Sequence, residues 1–346
     1  MAKLTYQEAI REAHLQEMER DEDVLLLGID IGAFGGLFGT TRGLLDRFGP
    51  ERVIEFPISE VCYVGTGIGL AREGFRPIIE IQMADFVTVA LDQIMTTMSK
   101  EYAVTKGQFR LPLVVRLPFG ANFSGQGYMG GGGPAHSQSH EAWFCHSPGL
   151  IVVMPSSPAD ALGLLKAAVR CDDPVIFMEQ KGMYYGEPEE VPDGDHLVEI
   201  GLANVVREGS DVTVVALGAM VPVATTVADE LARDGISVEV VDPRSLVPLD
   251  EPTILSSVAK TGRVVITHEA HRTGGFGAEI AALIAEKAFP SLRAPVVRCA
   301  AADLPIPLGA EAQRVLPGAA ELSRLVRGQL EGRSPKVESD RQRRSR

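Results

Sequence analysis

RVIEFPISEVCYVGTGIGLAREGFRPIIEIQ, residues 52–82, begins and ends on short apolar runs with a longer segment between them. RVIEF (52–56) and PIIEIQ (77–82) are apolar almost without interruption, the pattern of strands covered on both faces. The stretch between, SEVCYVGTGIGLAREG (59–74), reads as a helix, so the unit is strand, helix, strand. The same alternation extends outward. VLLLGI (24–29), PLVVRL (112–117), LIVVM (150–154) and PVIFME (174–179) read as further strands, and DFVTVALDQIMTTMSK (85–100) and SPADALGLLKAAVR (157–170) as helices. Thr5 and Glu8 form a capping-box pattern that opens an N-terminal helix with Tyr6, Ile10 and Ala13 on one face. Strands alternating with helices imply an α/β fold with a parallel, doubly wound sheet.

KGMYYGEPEEVPDGDH (181–196) breaks this rhythm with prolines, glycines and acids, which marks a linker. A second alternation follows in VTVVAL (212–217), ISVEVVD (236–242), RVVITHE (263–269) and PVVRC (295–299), and the helix after GGFG has Phe276, Ile280, Leu283 and Ile284 on one face. The expectation is two α/β domains in tandem, 1–185 and 201–330, with a linker over 186–200 and a flexible basic tail over 331–346. Arg333 to Arg346 holds six basic residues against two acids and almost nothing apolar, too little to order itself.

Several function classes drop out on composition. A net charge of −13 disfavours nucleic acid, which needs clustered Lys and Arg. No apolar run reaches the roughly 18 residues of a membrane span. The start lacks a signal peptide's apolar core and carries too many acids for a transit peptide, so the expected compartment is the cytoplasm. Cys62, Cys145, Cys171 and Cys299 are widely spaced with no CxxC pair, which argues against a disulfide framework or a zinc ribbon. GTGIGL (65–70) is not G-x-G-x-x-G and lies within the helical stretch, so a nicotinamide dehydrogenase is poorly supported. GGLFGTTRG (35–43) lacks the Lys-Ser/Thr ending of a phosphate loop.

The candidate chemistry lies elsewhere. GANFSGQGYMGGGGPAH (120–136) is a long loop between predicted strands that delivers a titratable residue, His136, as an active-site lid does. His136, His140 and His146 follow one another closely, yet His140 and His146 would face about 240° apart on a helix, and Ser137 or Ser139 reads as the cap that leaves His136 outside it. Proton chemistry at His136 is thus preferred to a shared metal. Glu60 opens the helix after RVIEF; from physics alone it is either a carboxylate favoured by the helix dipole or a catalytic group.

Taken in order and spacing, LLLGIDIGAFGGLFGTTRGLLDRFGPERVIEFPISE, RPIIEIQMADFVTVALDQI, AHSQSHEAWFCHSPGL, RSLVPLD and HEAHRTGGFGAEIAA strongly resemble the β subunit of the thiamine-diphosphate-dependent E1 component of 2-oxoacid dehydrogenase complexes, from about Leu4 to Arg327. The resemblance implies a transketolase-like pyrimidine-binding domain followed by a transketolase C-terminal domain. It places Glu60 where the family's glutamate bonds the cofactor's pyrimidine ring, Phe86 against that ring, and Ile58 and Gln82 nearby. His136 matches the histidine that faces the substrate and the acyl transfer to lipoamide, His146 matches a histidine of structural role, and His140 stands where relatives often have proline.

No Gly-Asp-Gly segment is present, so the resemblance implies that magnesium and the diphosphate belong to a partner α subunit in an α2β2 assembly. It further implies docking to an E2 acyltransferase with its lipoyl domain, and a potassium site at Leu113, Ala168, Val169, Cys171 and Asp173. Where relatives read Leu-Gly-Glu-Asp, Ile29 replaces the acid. The expected reaction is oxidative decarboxylation of a 2-oxo acid, pyruvate or branched-chain, with acyl transfer to lipoamide. Acetoin cleavage by a similar E1, or a non-catalytic subunit that kept the fold, are the alternatives.

Overall fold

The computed structural model describes residues 2–121 and 131–332. Six parallel strands form the body of a first sheet: β1 (Val24–Gly28), β2 (Val53–Glu55), β3 (Arg76–Glu80), β4 (Val114–Phe119), β5 (Ile151–Val153) and β6 (Val175–Gln180). Their spatial order is β5-β6-β4-β3-β1-β2. All but the short β2 are buried almost throughout, which explains why each reads as a continuous apolar run.

Helices cover both faces. α1 (Tyr6–Arg20) begins at the expected capping box, with Glu8 N donating to Thr5 Oγ1 at 3.2 Å and Thr5 N to Glu8 Oε2 at 2.8 Å. α2 (Glu60–Arg72) connects β2 to β3. α3 (Pro158–Arg170) is capped by Ser157 and packs on α1. One glycine of GTGIGL lets α2 lie close to β3: a Cβ at Gly67 would fall 2.4 Å from Ile79 Cδ1. The 85–100 stretch is not one regular helix. It runs as a 3₁₀ turn (Ala84–Phe86), an α-turn (Val87–Leu91) and a π-helical segment (Asp92–Met98).

The second unit contributes β7 (Asn204–Arg207), β8 (Val212–Ala216), β9 (Val238–Asp242), β10 (Ser245–Val247), β11 (Val264–His271) and β12 (Val297–Ala301). Five of these build a sheet in the order β7-β9-β8-β11-β12, parallel except for β7. β10 leaves it and pairs antiparallel with β5, so the second unit supplies the outermost strand of the first sheet. One apolar cluster runs through both units and includes Leu27, Ile79, Val115 and Ile176 from the first with Val241, Leu246 and Ile280 from the second.

The expected linker is knit to the first unit. Glu189–Val191 pairs antiparallel with Ala2–Leu4, and Val198 sits so close to Gly163 of α3 that an added Cβ would fall 2.6 Å from it. At the centre of the first sheet, Arg116 is fully buried and bonds both oxygens of Glu179 at 2.6 and 2.7 Å and Glu80 at 2.6 Å. Tyr184 donates to Glu179 at 2.7 Å and Thr40 to Glu80 at 3.1 Å, which ties the loop after β1 and the segment after β6 to one charged centre. Most of the 120–136 loop and the tail from 333 lie outside the described residues.

Candidate active site

Strand β1 lies between β2 and β3, so the chain reverses its winding direction there, and the loops leaving β1 and β3 part at the carboxyl edge of the sheet, the place where such sheets form a ligand crevice. Gln82, just past β3, bridges that crevice: its Nε2 donates to Asp30 Oδ2 at 3.0 Å and to the Ile29 carbonyl at 3.4 Å. Ile29 itself is buried in the core, and the exposed Asp30 is held at φ 56°, a left-handed conformation uncommon outside glycine. A carboxylate therefore stands beside Gln82 even though the acid at position 29 is missing.

Glu60 is the first residue of α2 and only 7% exposed. No group among the described residues donates a hydrogen bond to its carboxylate, and Ser59 before it makes no side-chain cap bond. Tyr63, one turn on, is sealed with its hydroxyl unpartnered, and its pKa is driven up by burial first and then by the charges of Glu60 and Glu80. Ile58, two residues before Glu60, is 83% exposed and leaves an apolar lip beside this buried acid.

Phe86 and His136 meet directly. Their rings are 5.4 Å apart and edge-on at 83°. His136 is half-buried, and its carbonyl accepts a hydrogen bond from Lys181 Nζ at 2.6 Å. Lys181 is 1% exposed, and burial lowers its pKa to about 8 against the opposing pull of Asp85 and Glu269. Glu269, from β11 of the second unit, is raised to about 6 by burial. It bonds the Ala121 amide through one oxygen and Gln180 Nε2 through the other at 2.7 Å. Asp85 Oδ1 accepts from Gln138 N at 3.3 Å.

The sequence reading did not single out Lys181, Asp85 or Glu269. The available signal was position: Lys181 directly follows β6 at the carboxyl edge, where ligand-facing residues collect.

The histidine helix differs from expectation. It spans only Glu141–Cys145, with His140 and His146 as the flanking cap residues, and neither Ser137 nor Ser139 caps it. Both serine hydroxyls are buried without partners among the described residues, in a stretch with no regular secondary structure. His140 stacks on Trp143 at 4.1 Å, and burial lowers its pKa. His146 lines a groove of about 880 Å³ between the two units with Met95, Trp143, Val247, Leu249 and Phe276, and none of Glu60, Gln82, Phe86 or His136 lies on its wall.

The five groups expected to hold potassium all have protein partners. Arg76 Nη1 donates to the carbonyls of Val169 at 3.0 Å and Cys171 at 3.1 Å, while its Nη2 bonds Asp172 at 2.7 Å. The Ala168 carbonyl accepts from Cys171 N, the Leu113 carbonyl from Val175 N, and the Asp173 carboxylate from Arg110. A guanidinium thus bonds two of the four carbonyls that the resemblance put around a metal ion.

The two-unit arrangement, with a switch point in the first unit and a strand and a carboxylate lent by the second, is that of the transketolase class, whose two domains the chain matches in order. Transketolase's pyrimidine binding domain matches residues 2–187 and its C-terminal domain residues 201–320. A solved split-gene transketolase, described as an inactive β4 tetramer, shares the fold at TM-score 0.77 and 24% identity, covering 96% of this chain and 100% of that one. Among named relatives, the 2-oxoisovalerate dehydrogenase subunit beta of Bacillus subtilis is 44% identical over 88% of this chain and 91% of its own length. The pyruvate dehydrogenase E1 component subunit beta of Staphylococcus epidermidis is 40% identical over 96% of this chain and 100% of its own. The chain belongs to the family of 2-oxoacid dehydrogenase E1 β subunits.

Proposed function

We propose that this chain is the β half of a 2-oxoacid dehydrogenase E1, which decarboxylates a 2-oxo acid and transfers the acyl group to the lipoyl domain of an E2 acyltransferase. The observation that carries this reading is Glu60: a residue only 7% exposed that opens α2, with no donor to its carboxylate among the described residues. A largely buried carboxylate with no described donor is matched chemically by a protonatable ring nitrogen of an aminopyrimidine.

When bound, thiamine diphosphate supplies a nucleophilic carbon that adds to the keto carbonyl and accommodates the electron pair released with CO₂. In this reading Glu60 shares a proton with the pyrimidine nitrogen it meets. Phe86 and Ile58 offer apolar surface against the ring and exclude water from it, and Gln82 places a side-chain amide at the crevice. His136, wedged against Phe86, holds a proton at its imidazole for the acyl-transfer step.

The diphosphate and Mg²⁺ are assigned to an α subunit in an α2β2 assembly, in keeping with the missing Gly-Asp-Gly. Potassium is left out of this reading, since Arg76 bonds the carbonyls it would need. The net charge of −13 favours a basic docking partner on E2. Four unpaired cysteines suit a reducing cytoplasm, and no described helix is long and apolar enough to cross a membrane.

The test is co-expression with an α-subunit partner and assay of dye reduction with pyruvate, branched-chain 2-oxo acids and acetoin. The expected result is turnover of a 2-oxo acid that is lost in Glu60→Gln. Turnover that survives this substitution overturns the role of Glu60, and an assembled pair inactive on all 2-oxo acids overturns the function.

A further inference from the structure

Three charged side chains from three separate elements hold main-chain groups on both stems of the segment that carries His136. Glu269 of β11 accepts from the Ala121 amide on the first stem. Lys181, directly after β6, donates to the His136 carbonyl on the second at 2.6 Å, and Asp85, next to Phe86, accepts from the amide of Gln138 at 3.3 Å. Lys181 and Glu269 are 1% and 6% exposed, so neither is a surface charge that merely happens to lie nearby.

Burying an ammonium costs several kcal/mol unless opposite charge and hydrogen bonds compensate. A lysine with only a packing role normally runs its stem along apolar surface and keeps its head in water. Here the head is enclosed, with Asp85 and Glu269 supplying the opposing charge and the backbone of His136 receiving the bond. Charge-assisted bonds of this kind are short and directional, which suits them to fixing a main chain in place. His136 cannot then shift along its stem without breaking that bond, and its ring stays edge-on to Phe86.

We propose that Lys181 is a positioning residue for acyl transfer: by pinning the His136 carbonyl it holds the imidazole toward the acyl group to be transferred. The proposal rests on the function argued above. It is tested in the assembled α/β complex with cofactor, by comparing 2-oxo-acid-dependent dye reduction with reductive acylation of a lipoyl domain. Lys181→Met, Lys181→Gln, His136→Ala and the double variant Lys181→Met/His136→Ala are measured side by side.

Lys181→Met is expected to slow reductive acylation at least about tenfold more than dye reduction, and Lys181→Gln, which retains a donor, to recover part of the loss. On the His136→Ala background Lys181→Met should add less than about twofold, since residues acting through one another are not additive. Equal losses in both half-reactions, or additive losses in the double variant, overturn the proposal. A readout independent of turnover is the rate at which diethylpyrocarbonate modifies His136, followed by mass spectrometry. That rate should rise at least about threefold on loss of the anchor. An unchanged rate overturns the positioning role even if the complex turns over no 2-oxo acid, a failure that would by itself count only against the proposed reaction.

Discussion

At the scale of single residues, Glu60 illustrates how function and stability pull against each other. Glu60 is only 7% exposed and no described residue donates to its carboxylate, so Glu60→Gln should leave the melting temperature unchanged or higher while turnover falls by about 10²–10⁴-fold, the usual worth of a proton-transferring group. A simple first-turn carboxylate would instead lose a little stability and no activity. His268 offers a second residue-scale test. Its ring is packed against Gly275 and Gly277, and its pKa falls to about 4 chiefly through burial. A folded-state value below the ordinary 6.5 means that the unfolded chain takes up the proton first. This group therefore removes stability as pH drops from about 6.5 to 4, by about 3 kcal/mol once both values are passed. Urea midpoints of the wild type and His268→Asn should differ in their pH slope across that window, the variant being flatter. Glu60 and His136 stood out in the sequence as candidates, one opening a helix after a strand and the other closing a long glycine-rich loop, and the resemblance gave each its role. Lys181 was not, because a lysine opening a stretch rich in glycine, proline and acids reads as linker until the fold shows it at the sheet's carboxyl edge.

At the scale of elements, two turns set how the helices seat. Gly149, before β5, has φ 100° and approaches the end of the π-helical segment so closely that a Cβ would fall 1.9 Å from the Ser99 carbonyl. Gly149→Ala should cost about 2–4 kcal/mol in chemical denaturation, from a strained φ and a displaced backbone together. The C-terminal end of α3 is held by Arg76. Arg76→Met removes the donor from two carbonyls and should cost about 1–3 kcal/mol. The wild type should melt at the same temperature in potassium and in sodium chloride, whereas the variant, with those carbonyls freed, should melt higher in potassium; a potassium effect in the wild type would contradict this. The strands buried on both faces were legible to within a residue or two, because such burial leaves a local apolar signature, whereas the more exposed Asn204–Arg207 and Glu189–Val191 left none. The histidine helix and the π-helical segment were not. Ser137 and Ser139 look like caps by residue type, but the helix starts only after His140 and the amide of Gln138 is taken by Asp85, and an i→i+5 register has no periodic mark of its own.

At the scale of the whole molecule, the two units are less separable than the sequence suggests. The alternation of strands and helices shows two α/β units, but Ser245–Val247 is three residues long and pairs across 92 positions of chain, and no local pattern encodes such a partner. Its loss leaves the edge of β5 and the apolar cluster around Met154 and Leu246 open. A fragment ending at residue 200 should therefore associate or melt without cooperativity; a soluble, cooperatively melting monomer in analytical ultracentrifugation and calorimetry would contradict that. The same strand also bears on biosynthesis. Ser245 trails Gln180 by 65 residues, so at elongation rates of about 5–20 residues per second the nascent polypeptide leaves the ribosome with an uncapped edge for roughly 3–13 s. Codon choice between those points governs the length of that window, and synonymous changes that slow decoding there should raise the aggregated fraction without altering one amino acid.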